Sequence, residues 1–152
     1  MKSLYARIPA LLSCGLCAFL LSVEASAHGG GAVMDAAGNK ASFSALARIT
    51  CFNDGAGPTS YLMARVRDNS AAVPGMVVSL QLLKGQRTTS TSDTVSGNAD
   101  YSAFAVLTGG DGVYTLLMNK TLAGARSFDL EWHCMTAGND HTGTEIIVDQ
   151  FE

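Results

Sequence analysis

The feature that most constrains this chain is a strict alternation of apolar and polar residues near its C-terminal end. Phe128, Leu130, Trp132 and Cys134 alternate with Asp129, Glu131 and His133. Because successive side chains of a β-strand point to opposite faces, a period of two predicts a strand with one buried face. Cys134 should therefore lie on the buried face with Trp132, and His133 on the other face.

The same period recurs between turn-forming residues along most of the chain. It predicts further strands over residues 43–51, 62–67, 76–83, 101–108, 113–118 and 144–151. The polar, Thr- and Ser-rich segment 86–98 is either a loop or a weak edge strand. Residues 109–112 have a hairpin-type sequence, so the strands on either side of them should pair antiparallel. About seven antiparallel strands without helical segments predict an all-β sandwich.

The alternation also predicts which side chains fill the space between the two sheets. The expected core residues are Phe43, Ile49, Leu62, Val66, Val78, Leu80, Tyr114, Leu116, Leu130 and Trp132. In the last strand the same parity points Ile146 and Val148 inward. These predictions fix the register of each strand, because a slip by one residue would expose the whole apolar set.

The N-terminal stretch has the three parts of a secretory signal peptide. Lys2 and Arg7 precede an apolar run over 11–23, and small residues follow at 25–27. The run is shorter than the roughly 20 apolar residues that span a bilayer. We therefore expect residues 1–27 to be removed, and the product to be secreted or periplasmic without a membrane span.

Cleavage at this point would leave one domain that begins with a histidine. His28 and the three glycines after it open the segment 28–40, whose lack of any period predicts a flexible Gly-rich N-terminal arm. Residues 41–152 would form the sandwich domain. Lipid attachment at Cys14 is an alternative fate for the N-terminal stretch.

The charge balance excludes some classes of partner. Removing Lys2, Arg7 and Glu24 from 10 basic and 13 acidic residues leaves 8 and 12, a net charge near −4 with histidines neutral. A mildly acidic surface argues against nucleic acid or anionic lipid as the natural partner.

Two cysteines remain after cleavage, and both lie on predicted apolar faces. Cys51 and Cys134 should form a disulfide in an oxidising compartment. The closed loop of 83 residues would stabilise the fold by about 4.5 kcal/mol in the chain-entropy model. The alternative, a thiolate metal ligand beside His133, would require both cysteines to stay reduced.

Four segments carry a resemblance to bacterial immunoglobulin-like domains. The segments are VRDN at 66–69, VPGMVVSL at 73–80, GNADY at 97–101 and GVYTL at 112–116. They resemble the turn and strand-start motifs of invasin/intimin-type and related periplasmic sandwiches. The resemblance implies an immunoglobulin-like fold and little about activity. Since such domains often serve as stalks or adhesins, one candidate function is a structural or adhesive module that contacts another protein through exposed strands.

The more specific candidate function is copper binding at the mature N-terminus. Cleavage would give His28 a free α-amino group beside its imidazole, so that amine and Nδ1 could chelate one metal ion. A second imidazole would complete a nitrogen-rich, tetragonal set that suits Cu(II). His141 is the first candidate partner and His133 the second. The alternative is that His28 stands before the glycines by chance and that His133 is a surface residue.

This arrangement resembles the histidine brace of copper-dependent polysaccharide monooxygenases and the N-terminal histidine of periplasmic copper carriers of the CopC type. His28 and the run Asn139-Asp140-His141 match, although the carriers have D-x-H where this chain has N-x-H. The sequence lacks a G-x-S-x-G nucleophile elbow, a zinc-protease helix motif and a phosphate-binding loop. We therefore predict a protein that binds rather than catalyses, with Cu(II) as its candidate ligand.

Overall fold

The computed structural model describes residues 28–152, so the signal peptide predicted for residues 1–27 lies outside the described residues. The described part is all-β, as predicted. Its strands are β1 (His28–Met34), β2 (Ser44–Phe52), β3 (Tyr61–Asp68), β4 (Val78–Lys84), β5 (Arg87–Asp93), β6 (Ala105–Thr108), β7 (Gly112–Lys120), β8 (Arg126–Met135) and β9 (Gly143–Phe151). From residue 28 onward the chain forms no helix with the length and apolarity that crossing a membrane requires.

The strands form two antiparallel sheets that enclose one apolar core. The first sheet has the order β1-β8-β3-β6, and the second has the order β5-β4-β7-β2-β9. Every residue predicted for the core is at most 7% exposed and belongs to a single buried cluster. The parity predicted for strands β2, β3, β4, β7 and β8 is therefore confirmed.

The predicted disulfide joins the two sheets. Cys51 in β2 and Cys134 in β8 are bonded, with their Cα atoms 5.6 Å apart. Both residues are buried, in agreement with the inward parity predicted for each. The bridge fixes the end of β8 that also carries His133.

The structure decides between a loop and an edge strand for residues 86–98, and it contradicts the hairpin predicted at residues 109–112. The segment predicted as a loop or a weak edge strand contains β5, which lies at the edge of its sheet and pairs with β4. The hairpin predicted at residues 109–112 is wrong, because β6 pairs with β3 in one sheet and β7 pairs with β2 and β4 in the other. Lys84 Nζ and the Tyr114 hydroxyl both donate hydrogen bonds, of 2.8 Å each, to the carbonyl of Gly110, which holds this crossover in place.

The prediction of a flexible arm is also corrected. Residues 28–34 form strand β1, which pairs with β8 over its whole length. Two anchors follow directly: Met34 is fully buried, and the Asp35 carboxylate accepts a 2.8 Å hydrogen bond from Lys120 in the interior. The glycines allow close packing, since a Cβ at Gly31 would lie 2.5 Å from Asp129 Oδ1. Glycine here serves the contact between strands rather than mobility.

The last strand departs from prediction at Val148. Ile146 packs against the core as predicted, but Val148 is 60% exposed. A register shift between Leu46 and Ala47 interrupts the pairing of β2 with β9. On this side the sandwich is open, with an apolar groove of about 300 Å³ between β1 and β9 that Val148 helps to line. Inward parity therefore does not bury this residue.

Candidate metal site at one end of strand β8

All three histidines of the chain lie at the same end of β8. His28 begins β1, directly opposite Trp132. His133 follows in β8, and His141 forms an isolated antiparallel bridge with Met135. The rings of His133 and His141 lie 4.5 Å apart, and the ring of His28 lies 6.4 Å from that of Trp132. The structure thus places His28 at the end of β8 that carries His133 and His141.

The three rings share an unusual property. The Nδ1 atoms of His28, His133 and His141 are each buried and without a hydrogen-bond partner. In residues 28–152 the other buried side-chain nitrogen or oxygen atoms in this condition are Trp132 Nε1 and Thr59 Oγ1. Because nearly all buried polar groups in native proteins have a partner, each exception requires an explanation. Three of the five such atoms in the described residues belong to histidines at this end of β8.

His133 is held in a defined orientation by its neighbours. Its Nε2 is hydrogen-bonded to Glu131 Oε1 at 2.9 Å, and Glu131 Oε2 accepts two hydrogen bonds from Arg65. Burial raises the pKa of Glu131, but the bonds from His133 and Arg65 lower it below its ordinary value overall. A carboxylate oxygen accepts, so Nε2 is the donor in this hydrogen bond and Nδ1 is the ring nitrogen that remains without a partner.

The burial of His133 overturns the interpretation of this residue as a surface group. Its parity is as predicted, opposite to Trp132, yet it is only 4% exposed. The ring of His141 covers it, and the ring of Phe104 lies 6.3 Å away. The alternating pattern fixes the face on which a side chain stands. It carries no information on which loop covers that face.

The backbone nitrogen of His28 lies at the same end of β8. In the antiparallel register of β1 with β8, His28 pairs with Trp132 and the strand runs from there away from His133. The beginning of β1 is therefore the end nearest to His133. If cleavage occurs after Ala27, the new α-amino group would be formed at the end of β8 that carries His133.

The environment of His141 favours its neutral form. Burial lowers the pKa of His141, and the neighbouring His133 and His28 lower it further. A neutral imidazole is the form that can donate a lone pair to a metal ion.

No group of three or more His, Cys, Asp or Glu side chains within residues 28–152 stands ready to hold a metal ion. A site that includes the α-amino nitrogen and Nδ1 of His28 needs the side chain of only one further residue to supply three nitrogen ligands. The unpartnered Nδ1 atoms of His133 and His141 are the donors available for this purpose. The arrangement therefore fits chelation by a processed N-terminus.

Sequence reasoning did not identify Glu131 or Arg65 as part of this site. The signal was present, because Glu131 and His133 are two residues apart in a strand and so share a face. Arg65 could not be found in this way, because its position opposite Glu131 depends on the pairing of β3 with β8.

No protein-family model, no curated protein and no solved structure matches the chain. The function proposed below therefore rests on the geometry of the site.

Proposed function

We propose that this is a secreted or periplasmic protein that binds Cu(II), without catalysis, at its processed N-terminus. The α-amino group and Nδ1 of His28 would chelate the ion, with His141 and His133 as the further ligands. The single observation that carries the proposal is the presence of three buried, unpartnered Nδ1 atoms at one end of β8. A bound metal ion would supply the partner that each of them lacks.

The donor set favours copper over other divalent ions. Imidazole suits copper, zinc, iron and nickel, whereas calcium and magnesium prefer oxygen ligands. Among these metals the affinity of a nitrogen site is highest for Cu(II), and a set of four nitrogens can satisfy its tetragonal geometry. The amine, the Nδ1 of His28 and the Nδ1 of His141 would supply three nitrogens of such a set, with His133 as the second candidate for an imidazole ligand.

The hydrogen bond between His133 and Glu131 supports the same proposal. Histidines that bind metals usually donate their other ring N–H to a carboxylate or carbonyl, which fixes the tautomer and the ring orientation. His133 already has this partner at 2.9 Å, and Arg65 holds the partner in turn. The proposed site would also require the free amine that cleavage after Ala27 releases.

The test begins with the full chain produced with its own N-terminal stretch and purified after export. Mass spectrometry would establish the N-terminus, and Cu(II) titration would follow. A product that begins at His28 is expected to bind one ion per chain with a nitrogen-rich tetragonal spectrum. His141→Ala should weaken binding, while Asp140→Asn, at the exposed neighbouring position, serves as the control and should not.

A variant with one residue added ahead of His28 separates the amine from the imidazoles. It should lose most of the affinity, because its first ligand would again be a peptide nitrogen. Equal affinity in the extended and processed forms would show that the amine is not a ligand. A mature N-terminus at any other residue would also overturn the proposal.

A second candidate function is contact with another protein through an exposed strand, as in the adhesive immunoglobulin-like domains that the sequence resembles. It is favoured by β9, an edge strand on which Ile147 and Val148 are 54% and 60% exposed. An open apolar edge is a site at which another chain can add a strand. A photoreactive residue at position 147 should then cross-link one partner of defined mass in producing cells. Val148→Lys should abolish that adduct and leave Cu(II) binding unchanged.

A further inference from the structure

The apolar groove between β1 and β9 lies between the two sheets rather than on the outer face of either. Gly30 and Ala32 in β1 pair with residues of β8 whose side chains are buried in the core, so these two positions also face inward. Across the gap, β2 presents Ala45 and Ala47. Packed sheets lie about 10 Å apart, and larger side chains are needed to fill the space between them. Small residues on both sides therefore leave a groove of about 300 Å³.

Gly30 keeps this groove open, although neither its backbone nor its neighbours require a glycine. Its φ is not positive, and an added Cβ would meet Trp132 Cη2 at 3.5 Å, which is an ordinary van der Waals contact. Gly31 differs, because a Cβ there would lie 2.7 Å from the carbonyl oxygen of Phe128. Glycine inside a strand weakens it and often marks the close approach of a ligand or of another backbone. Among residues 28–152, no backbone atom of another strand lies within 4 Å of a Cβ at Gly30.

A buried donor without a partner belongs to the wall of the same groove. Trp132 is 7% exposed, and its ring lines the groove beside Gly30. Its Nε1 has no hydrogen-bond partner within the described part of the chain. A buried indole N–H usually has one. An apolar lining with one polar group that lacks its partner is the composition of a small-molecule site.

The size, shape and charge of the groove define the class of ligand. A cavity of about 150 Å³ with apolar walls binds benzene, so twice that volume can hold about a dozen carbon atoms. The lining extends along β9 from Ile146 to Phe151, which favours an elongated molecule. None of the described residues that line the groove is charged, and burying an unpaired charge is costly, so the ligand should be neutral.

We infer that the groove binds a neutral acyl chain of this size, such as a fatty-acid ester, whose carbonyl oxygen accepts a hydrogen bond from Trp132 Nε1. The chain enters between the edge strands β1 and β9 and packs against Gly30 and Ala47. This inference goes beyond the proposed function and does not depend on it, because no metal ion takes part.

The test uses the indole N–H of Trp132, which is the only tryptophan of the chain and so gives a single resonance. Methyl nonanoate would be titrated into ¹⁵N-labelled protein, produced from the full chain and purified after export without added metal. Saturable binding of one molecule per chain is expected, with a downfield shift of the indole proton. Nonanoate, which carries a charged carboxylate, should bind at least about tenfold more weakly.

Three variants, measured by calorimetry, assign the binding to the groove. Gly30→Leu fills the groove and should abolish binding, while its melting temperature should not fall, because glycine weakens a strand. Gly29→Leu makes the same change on the opposite face, where a Cβ would meet the Leu130 carbonyl oxygen at 3.5 Å, and should bind as the unaltered protein does. Trp132→Phe keeps an apolar wall without the donor and should bind roughly fivefold more weakly.

Several results would overturn the inference. These are an absence of saturable binding, equal affinity in Gly30→Leu, loss of binding in Gly29→Leu, or an indole resonance that does not move. A stable dimer in light scattering that Gly30→Leu converts into monomers would also overturn it, because a second copy of the chain would then cover the groove. Cu(II) titration of the unaltered protein tests the proposed function separately, so the failure of one leaves the other standing.

Discussion

The two ends of strand β8 both carry buried polar side chains, but they satisfy them very differently. At its beginning, Arg126 donates hydrogen bonds to Asp68, to the carbonyl of Ala71 and to Ser96, at 2.6–2.9 Å. Asp68 in turn accepts from the backbone nitrogen of Ser70. No fully buried side-chain nitrogen or oxygen of this cluster is without a partner. At the other end of the strand, three histidine rings each leave a buried nitrogen unpartnered.

One cluster is thus a satisfied polar network, and the other has buried nitrogens without partners. A satisfied polar network fixes one arrangement of the chain and needs nothing further. An unsatisfied buried group costs about 1–3 kcal/mol, which a fold tolerates when something else supplies the missing partner. The same strand and the same sheet support both clusters. The difference therefore lies in the side chains and their partners, and substitutions at each end can test it.

The largest effect is expected from the disulfide that fixes the histidine end. Replacing Cys51 and Cys134 with Ala should lower the free energy of unfolding by about 4.5 kcal/mol, because the unfolded chain regains the freedom of an 83-residue loop. Denaturant unfolding measures this directly. A loss below about 1 kcal/mol would mean that the bridge does not organise this end of the molecule.

Arg126→Met should cost about 3–5 kcal/mol, since it leaves the buried Asp68 carboxylate without its charged partner. The same unfolding experiment measures the loss. Cu(II) affinity per folded molecule should not change, because the substitution is at the far end of β8. Parallel losses of stability and of affinity would show that the two clusters are not independent.

Glu131→Gln should lower the affinity for Cu(II) and leave the free energy of unfolding unchanged. Loss of a carboxylate that orients a metal-bound histidine typically costs 10–100-fold in affinity, or about 1.4–2.8 kcal/mol. The measurement is Cu(II) titration, with unfolding as the control. Unchanged affinity would remove His133 from the set of ligands.

The smallest effect is also the most specific. In the metal-free protein, His141→Leu should raise the stability by up to about 1 kcal/mol, because it removes an unpartnered buried nitrogen. A residue kept for binding at a cost in stability is expected to behave in this way. If the substitution destabilises the metal-free fold by more than about 1 kcal/mol, His141 has a structural role that the geometry does not reveal.

The sequence predicted the parts of the fold that depend on a period of two. The alternation in β8 correctly placed Trp132 and Cys134 inside and His133 on the opposite face, and the two cysteines predicted the disulfide. The period of two does not predict which distant strands pair with each other. The segment 109–112 has the composition of a hairpin, but the chain crosses from one sheet to the other there. The glycines of β1 led to the wrong prediction of a flexible arm for a related reason. Met34 and Asp35 anchor that strand through contacts with distant residues.

The candidate site was predicted by residue and not by arrangement. His28 was chosen for the chemistry of a processed N-terminus, His141 for its N-x-H run in the turn between the last two predicted strands, and His133 as the other available histidine. That all three lie together follows from the pairing of β1 with β8 and from the bridge at Met135, neither of which has a local signal. Glu131 lies two residues from His133 in β8 itself, and Arg65 reaches Glu131 through the pairing of β3 with β8.

The most direct test of the central claim is the identity of the nitrogen atoms bound to Cu(II). Pulsed electron paramagnetic resonance of the processed protein, unlabelled and labelled with ¹⁵N-histidine, reports the imidazoles coupled to the metal. We predict couplings from at least two imidazoles, one of which disappears in His141→Leu, together with a directly bound amine that is lost when a residue is added ahead of His28. Coupling to a single imidazole, or a spectrum that neither change alters, would contradict the claim that the three unpartnered nitrogens form a copper site.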